Sequence, residues 1–313
     1  MKKQYLYAMI SIFLWSTTAT VTKLLLGDLN SMQILVVGSL LAFVFLFIIN
    51  LIKGNLKELK KYKLKDYLQI SIIGVLGTFL YNLFLYLGID TLEASQAFII
   101  NYLWPIMTVV FACIILKEKM TMRKAIAILL SFIGVIIVTA KGDLLNVSKE
   151  SIIGAIYCVL AAVSYGLFSV LNKQKGYNKF LSMMLFYLVS FIISLIYIII
   201  SKNTIALQVN QLIGLVWIGV FTSATAFTSW ALALEKGDTA KISNLAYITP
   251  FLSLIWTSLI LREKFSIYSI IGLIVIVLGI FIQIKDKNNN NNKINIKKRN
   301  NILKKYKSYI KLN

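Results

Sequence analysis

The chain has 313 residues, of which 58% are apolar and 14% charged, with a net charge of +21, two cysteines and no histidine. Soluble domains carry roughly a quarter charged residues, so this composition excludes an ordinary soluble fold and predicts an all-α membrane protein. Two cysteines inside apolar stretches without a histidine make neither a disulfide framework nor a metal site, and no cofactor is expected.

Ten apolar segments follow in chain order: 4–26, 32–52, 67–88, 94–116, 125–140, 151–172, 181–201, 212–234, 241–261 and 267–284. Each is long enough to approach or span a hydrocarbon layer of ~30 Å, the fifth being short. Backbone groups in lipid must be satisfied within the segment, so all ten are read as helices. The first runs apolar from Tyr5 to Leu26 without a small-residue cleavage pattern and is read as a retained helix.

The basic residues lie between the segments, which argues against nucleic acid as the partner and for orientation of membrane helices. With the N-terminus inside, the inner connections hold sixteen Lys/Arg before the tail and the outer ones five. Both termini are therefore expected in the cytoplasm. Residues 285–313 form a basic, Asn/Lys-rich tail, read as solvated low-complexity chain; the alternative is a short helix lying on anionic lipid. The basic loops and tail make anionic lipids expected partners. Oligomeric state is not legible here, and a monomer is compatible with everything in the chain.

The fourth segment carries Asn101, Tyr102, Trp104 and Pro105 at its centre, where an isolated membrane helix gains nothing from an amide or a helix breaker. Displacing the sequence by 145 residues explains part of this. Tyr102 and Pro105 fall on Tyr247 and Pro250, Glu118-Lys119 on Glu263-Lys264, and Gly134 on Gly279, while Lys23 meets Lys173 at an offset of 150. The chain thus reads as two copies of a five-helix unit, 1–145 and 146–284. Because five is odd, the second copy enters the membrane with opposite polarity, giving inverted repeats. Such repeats place a substrate site near the midplane in secondary transporters. The only two prolines, Pro105 and Pro250, occupy equivalent positions and are read as bends or hinges of the fourth and ninth helices.

Other polar and aromatic residues deep in apolar segments are Trp15, Ser16, Thr17, Tyr81, Asn82, Tyr165, Trp230 and Asn244. Buried amides, hydroxyls and indoles in lipid require partners, so these should face the interior or a wet cavity. Trp15, Tyr81, Asn82, Asn101, Tyr102, Trp104, Tyr165, Trp230, Asn244 and Tyr247 are the candidate substrate-binding residues. Tyr5, Tyr7, Tyr67 and Tyr268 fit the interfacial belt instead, and Trp217 and Trp256 are read as packing. Aromatic walls suit a flat apolar, aromatic or cationic solute, and the three asparagines suit a zwitterionic head.

All twelve Asp and Glu lie in loops or at segment ends. A proton-coupled antiporter needs an intramembrane carboxylate or histidine, and none is available. Lys23 and Lys173 are read as snorkelling to the interface, and Glu118 and Glu263 as end-pairs with neighbouring lysines. The chain offers no His/Asp/Glu cluster for a membrane-embedded lipid enzyme, so no enzymatic activity is expected.

On "WSTTATVTK" at 15–23, "NYLWP" at 101–105 and "AYITP" at 246–250, residues 1–284 resemble the drug/metabolite transporter superfamily, EamA type, and within it the bacterial aromatic amino acid exporters. The resemblance implies a basket-like inner-membrane exporter of aromatic and other neutral amino acids or related metabolites. Its cavity would be lined by helices 1, 3, 4, 6, 8 and 9, with Tyr81, Tyr102, Trp104 and Tyr165 on the wall. Asn82 stands where related exporters can carry an acidic residue, which puts cargo and coupling in question. Nucleosides, sugars or cationic drugs are the alternative cargo; a phosphorylated substrate would require cavity Lys or Arg, which only the peripheral lysines supply.

Overall fold

The computed structural model describes residues 3–143, 146–173, 176–202, 204–236 and 245–282. Within them lie ten apolar helices: α1 (Lys3–Leu26), α2 (Ser31–Ile52), α3 (Leu64–Thr91), α4 (Ala94–Ile115), α5 (Met122–Ala140), α6 (Lys149–Asn172), α7 (Lys179–Ile200), α8 (Val209–Glu235), α9 (Ala246–Leu261) and α10 (Ile267–Ile282). The first eight are long and apolar enough to cross a membrane, and α9 and α10 are shorter. The tail and Asn244 lie outside the described residues.

Helix ends differ from the hydropathy reading where charged or amide side chains cap them. The third segment starts at Leu64, not 67, because the Asp66 carboxylate accepts the Lys63 backbone N–H at 2.8 Å. A hydropathy reading counts that charge as loop, while the chain uses it as a cap. Gln211 serves α8 in the same way, accepting the Gln208 N–H at 3.0 Å. Asn30 and Gln33 form a reciprocal capping box at the start of α2.

The helices pack in pairs that the 145-residue offset relates. The hydroxyls of Ser39 and Ser190 meet at 2.9 Å where α2 crosses α7. α3 lies on α6, where Gly88 leaves room for the Cys158 thiol; α8 lies on α1, where the Ser11 hydroxyl donates to the Ala226 carbonyl at 2.8 Å. At the α5–α10 crossing, Gly134 and Gly272 face each other so closely that a Cβ on either would stand 2.8 Å from the other's carbonyl oxygen. Gly279 meets the Ala127 carbonyl just as tightly. The 145-residue offset exchanges these two contacts, Gly134 for Gly279 and Gly272 for Ala127, as an inverted repeat requires. Large apolar side chains such as Ile52, Ile200, Ile213 and Leu259 point outward, which suits a lipid-facing surface and not a soluble one.

Candidate functional site

Five helices lose regular geometry, and the site is built from those places. In α4 the helix ends at Asn101, and a new one starts at Trp104 with Pro105 in its first turn. In α9 a short 3-10 turn, Ala246–Ile248, precedes a helix starting at Thr249 with Pro250 in its first turn. Proline lacks the N–H that would close the preceding turn, so both breaks follow from the two prolines. α3 widens to π geometry over Val75–Leu80 and α8 over Trp217–Thr225, stretches that overlap under the same offset. Single π turns inside α-helices concentrate at functional sites. In α1 the break falls at Ser16 and Thr17. Their hydroxyls turn back onto the carbonyls of Phe13 and Leu14, both at 2.7 Å, which loosens the helix.

Between these irregular turns lies a narrow cavity of about 30 Å³, room for a water or two among the aromatic rings. Trp15, Tyr81, Asn82, Asn101, Tyr102 and Trp104 line it, six of the residues expected from sequence. Tyr165 stands one layer behind, its ring 4.9 Å from Tyr81 and 5.1 Å from Trp104. Trp230 likewise backs Trp15 at 5.4 Å. Tyr247 is buried against Phe281 at 5.5 Å and is not part of the lining. Pro105 and Pro250 shape the breaks without facing the space.

Sequence reasoning missed Thr18, Tyr86, Phe98, Thr222, Ser223, Phe227 and Thr249, which share the wall. Phe227 is central: its ring meets Trp15 at 5.2 Å, Tyr165 at 5.8 Å and Tyr81 at 6.3 Å. Its one available signal was its place three residues before Trp230, on the same face of α8.

Among the described residues, the lining contains no Asp, Glu, Lys or Arg. Its polarity comes from hydroxyls, amides and two indoles. Asn101 donates to the Tyr81 hydroxyl at 3.3 Å, and Asn82 to the Thr78 carbonyl at 2.7 Å. Four buried wall atoms have no partner: Trp15 Nε1, Thr18 Oγ1, Asn101 Oδ1 and Thr249 Oγ1. Each unpartnered buried polar atom costs about 1–3 kcal/mol, so the wall presents one donor, one acceptor and two hydroxyls to whatever enters.

Charged residues seal the end of the bundle where α3 turns into α4. Lys23 does not snorkel: its Nζ donates to the carbonyls of Ile89 at 2.7 Å, Asp90 at 3.2 Å and Leu92 at 2.8 Å. These are carbonyls at the end of α3 that have no helical donor, and a cation there also suits the helix dipole. Glu263 is not an end-pair with a lysine. Its carboxylate accepts the N–H groups of Ala94 at 2.8 Å and Ser95 at 3.0 Å, capping α4 from beyond the end of α9. Glu118 does pair with Lys124, at 3.1 Å. Trp217 and Trp256 do more than pack, since their indole N–H groups hold the Thr17 and Ser16 hydroxyls at 2.8 and 3.0 Å. The side chain of Lys173 lies outside the described residues. Substituting Lys23 by methionine should lower stability by about 1–3 kcal/mol through the orphaned carbonyls, while arginine retains most of it; thermal unfolding in detergent reads the difference.

A multi-pass helical bundle with paired irregular helices around a central cavity is the architecture of a membrane transporter. The chain belongs to the EamA-like transporter family, whose sequence pattern matches residues 2–140 and again 152–284. An uncharacterized transporter of Clostridium kluyveri is 24% identical over 89% of this chain and 92% of its own length. The uncharacterized transporter YoaV of Bacillus subtilis is 24% identical over 86% and 92%. A solved crystal structure superposes with a TM-score of 0.67, covering 90% of this chain and 96% of its own at 19% identity; that likeness speaks for the fold alone.

Proposed function

We propose that the protein is a secondary transporter that exports small neutral metabolites, foremost aromatic and other neutral amino acids, by alternating access around the aromatic cavity. Its two repeats, 1–145 and 146–284, would rock against each other, with both termini on the cytoplasmic side of a bacterial inner membrane. The observation that carries this reading is the wall itself: rings from helices of both repeats, four unpartnered polar atoms and, among the described residues, no formal charge. An aromatic side chain would gain edge and face contacts with Tyr81, Trp104 and Phe227. The substrate carboxylate would take the Trp15 indole N–H and the Thr18 hydroxyl, and the ammonium the Asn101 oxygen and nearby ring faces. A phosphate or a sugar acid would find no cation in the wall.

Transport of labelled phenylalanine and tryptophan into liposomes containing the purified chain is the direct test. Saturable uptake, displaced by the other aromatic amino acid and not by glutamate or lysine, is the expected result. Because no described residue lining the cavity is a carboxylate or histidine, imposing a pH gradient should leave the initial rate unchanged. A rate that follows the gradient would overturn the uncoupled mechanism, and absence of flux with folded protein would overturn the cargo.

A further inference from the structure

The two prolines do more than bend their helices. Without its N–H, Pro250 gives the Ala246 carbonyl no helical donor four residues on, and that carbonyl takes the Thr249 N–H of its own 3-10 turn. The Tyr102 hydroxyl of α4 donates to the same carbonyl. One repeat thus bonds a carbonyl at the proline break of the other. The 145-residue offset carries Asn101 to Ala246, Tyr102 to Tyr247 and Pro105 to Pro250. Pro105 therefore denies the Asn101 carbonyl its four-residue donor in the same way, and the matching interhelical donor is the hydroxyl of Tyr247. Among the described residues that second bond is not made, and the Tyr247 ring rests on Phe281 instead.

At the α3–α4 end Glu263 also reaches across from the second repeat to cap α4. At the tyrosine pair, two copies of one sequence pattern are held in two arrangements. In an inverted-repeat carrier, exchanging the arrangements of the two copies produces the oppositely facing state.

We propose that Tyr102 and Tyr247 are paired positioning residues of the transport cycle. Tyr102 bonds the Ala246 carbonyl when the α3–α4 end is closed, and Tyr247 bonds the Asn101 carbonyl when the opposite end is closed. The inference rests on the alternating-access reading but not on any cargo. Neither carbonyl has its four-residue helical donor, because that residue is proline, and each state retains one interhelical bond and forgoes the other. Phenylalanine at either position keeps the ring and removes the donor. A lone interhelical hydrogen bond in a membrane protein shifts a two-state ratio by roughly three- to tenfold.

The test uses the full chain with Cys113→Ser and Cys158→Ala, reconstituted without substrate. Spin-label pairs go at the exposed positions Asp90 and Lys264 for the α3–α4 end, and at Lys119 and Gly176 for the opposite end. Electron–electron distance distributions then report which end is open. Tyr102→Phe is expected to raise the population with the Asp90–Lys264 pair apart by three- to tenfold. Tyr247→Phe should instead deplete that population, and the double variant should return to the wild-type ratio. Shifts in the same direction, no shift, or a double variant unlike the wild type would overturn the proposal. A tyrosine that merely packs would lower the unfolding temperature without opposed shifts, which also counts against it. Because no solute is present, failure here is separable from failure of the cargo assignment.

Discussion

Trp104→Ala is expected to cut saturable aromatic amino acid flux at least about tenfold, the effect of losing ~1.4 kcal/mol at the site. Trp104 is half-buried and touches three of the bundle's apolar clusters at once. Its ring meets Tyr165 edge-on at 5.1 Å and Tyr102 at 6.1 Å, contacts worth about 0.5–1.5 kcal/mol each. Truncation removes both and leaves Tyr165 free to tilt into the space that a substrate ring would occupy. Trp104 is also the first residue of the second half of α4, and its carbonyl accepts the Thr108 hydroxyl at 2.9 Å; that backbone bond survives the substitution, so the helix itself should persist. Trp104→Phe keeps an aromatic edge and should retain most of the rate. The check is initial uptake against concentration for both variants, alongside circular dichroism to establish that helicity is unchanged. Wild-type uptake by the alanine variant would remove Trp104 from the substrate path.

The break in α4 was legible because it violates a simple expectation. Asn101 and Pro105 in an otherwise uncharged apolar run cost too much to be there without a compensating partner, and the 145-residue recurrence doubled the signal. The widened turn at Val75–Leu80 was not legible. Its sequence, VLGTFL, is ordinary helix, and its cause sits in α6: a Cβ on Gly77 would meet the Phe168 ring at 2.1 Å. Phe227 and Tyr86 were missed for a related reason. In a run where every residue is apolar, periodicity cannot separate a ring that lines a cavity from one that packs behind it. Tyr165 and Trp230 show the converse, being picked for their depth yet standing in the second layer. Lys23 and Glu263 had bland readings at their own positions because their partners lie 66 and 169 residues away. Side chains that act on the ends of distant helices leave no local trace.

Leucine at Gly134 is expected to be the most destabilising single change in the bundle outside the cavity. A Cβ there would stand 2.8 Å from the Gly272 carbonyl oxygen and 3.2 Å from the Ile276 nitrogen. Those are backbone atoms, which cannot rotate aside as a side chain can, so α5 and α10 must separate along the whole crossing. Overpacking of this kind costs about 1–3 kcal/mol or more, and close small-residue contact is what drives helix association in lipid. Gly272→Leu should cost a similar amount, since its own Cβ would meet the Gly134 oxygen at 2.8 Å. The two substitutions act on one contact, so together they should cost clearly less than the sum of each alone. Thermal unfolding of the three variants in detergent measures this directly. Additive losses would mean that the two glycines serve separate neighbours, and the reciprocal α5–α10 seam, on which the pairing of the repeats partly rests, would then need another explanation.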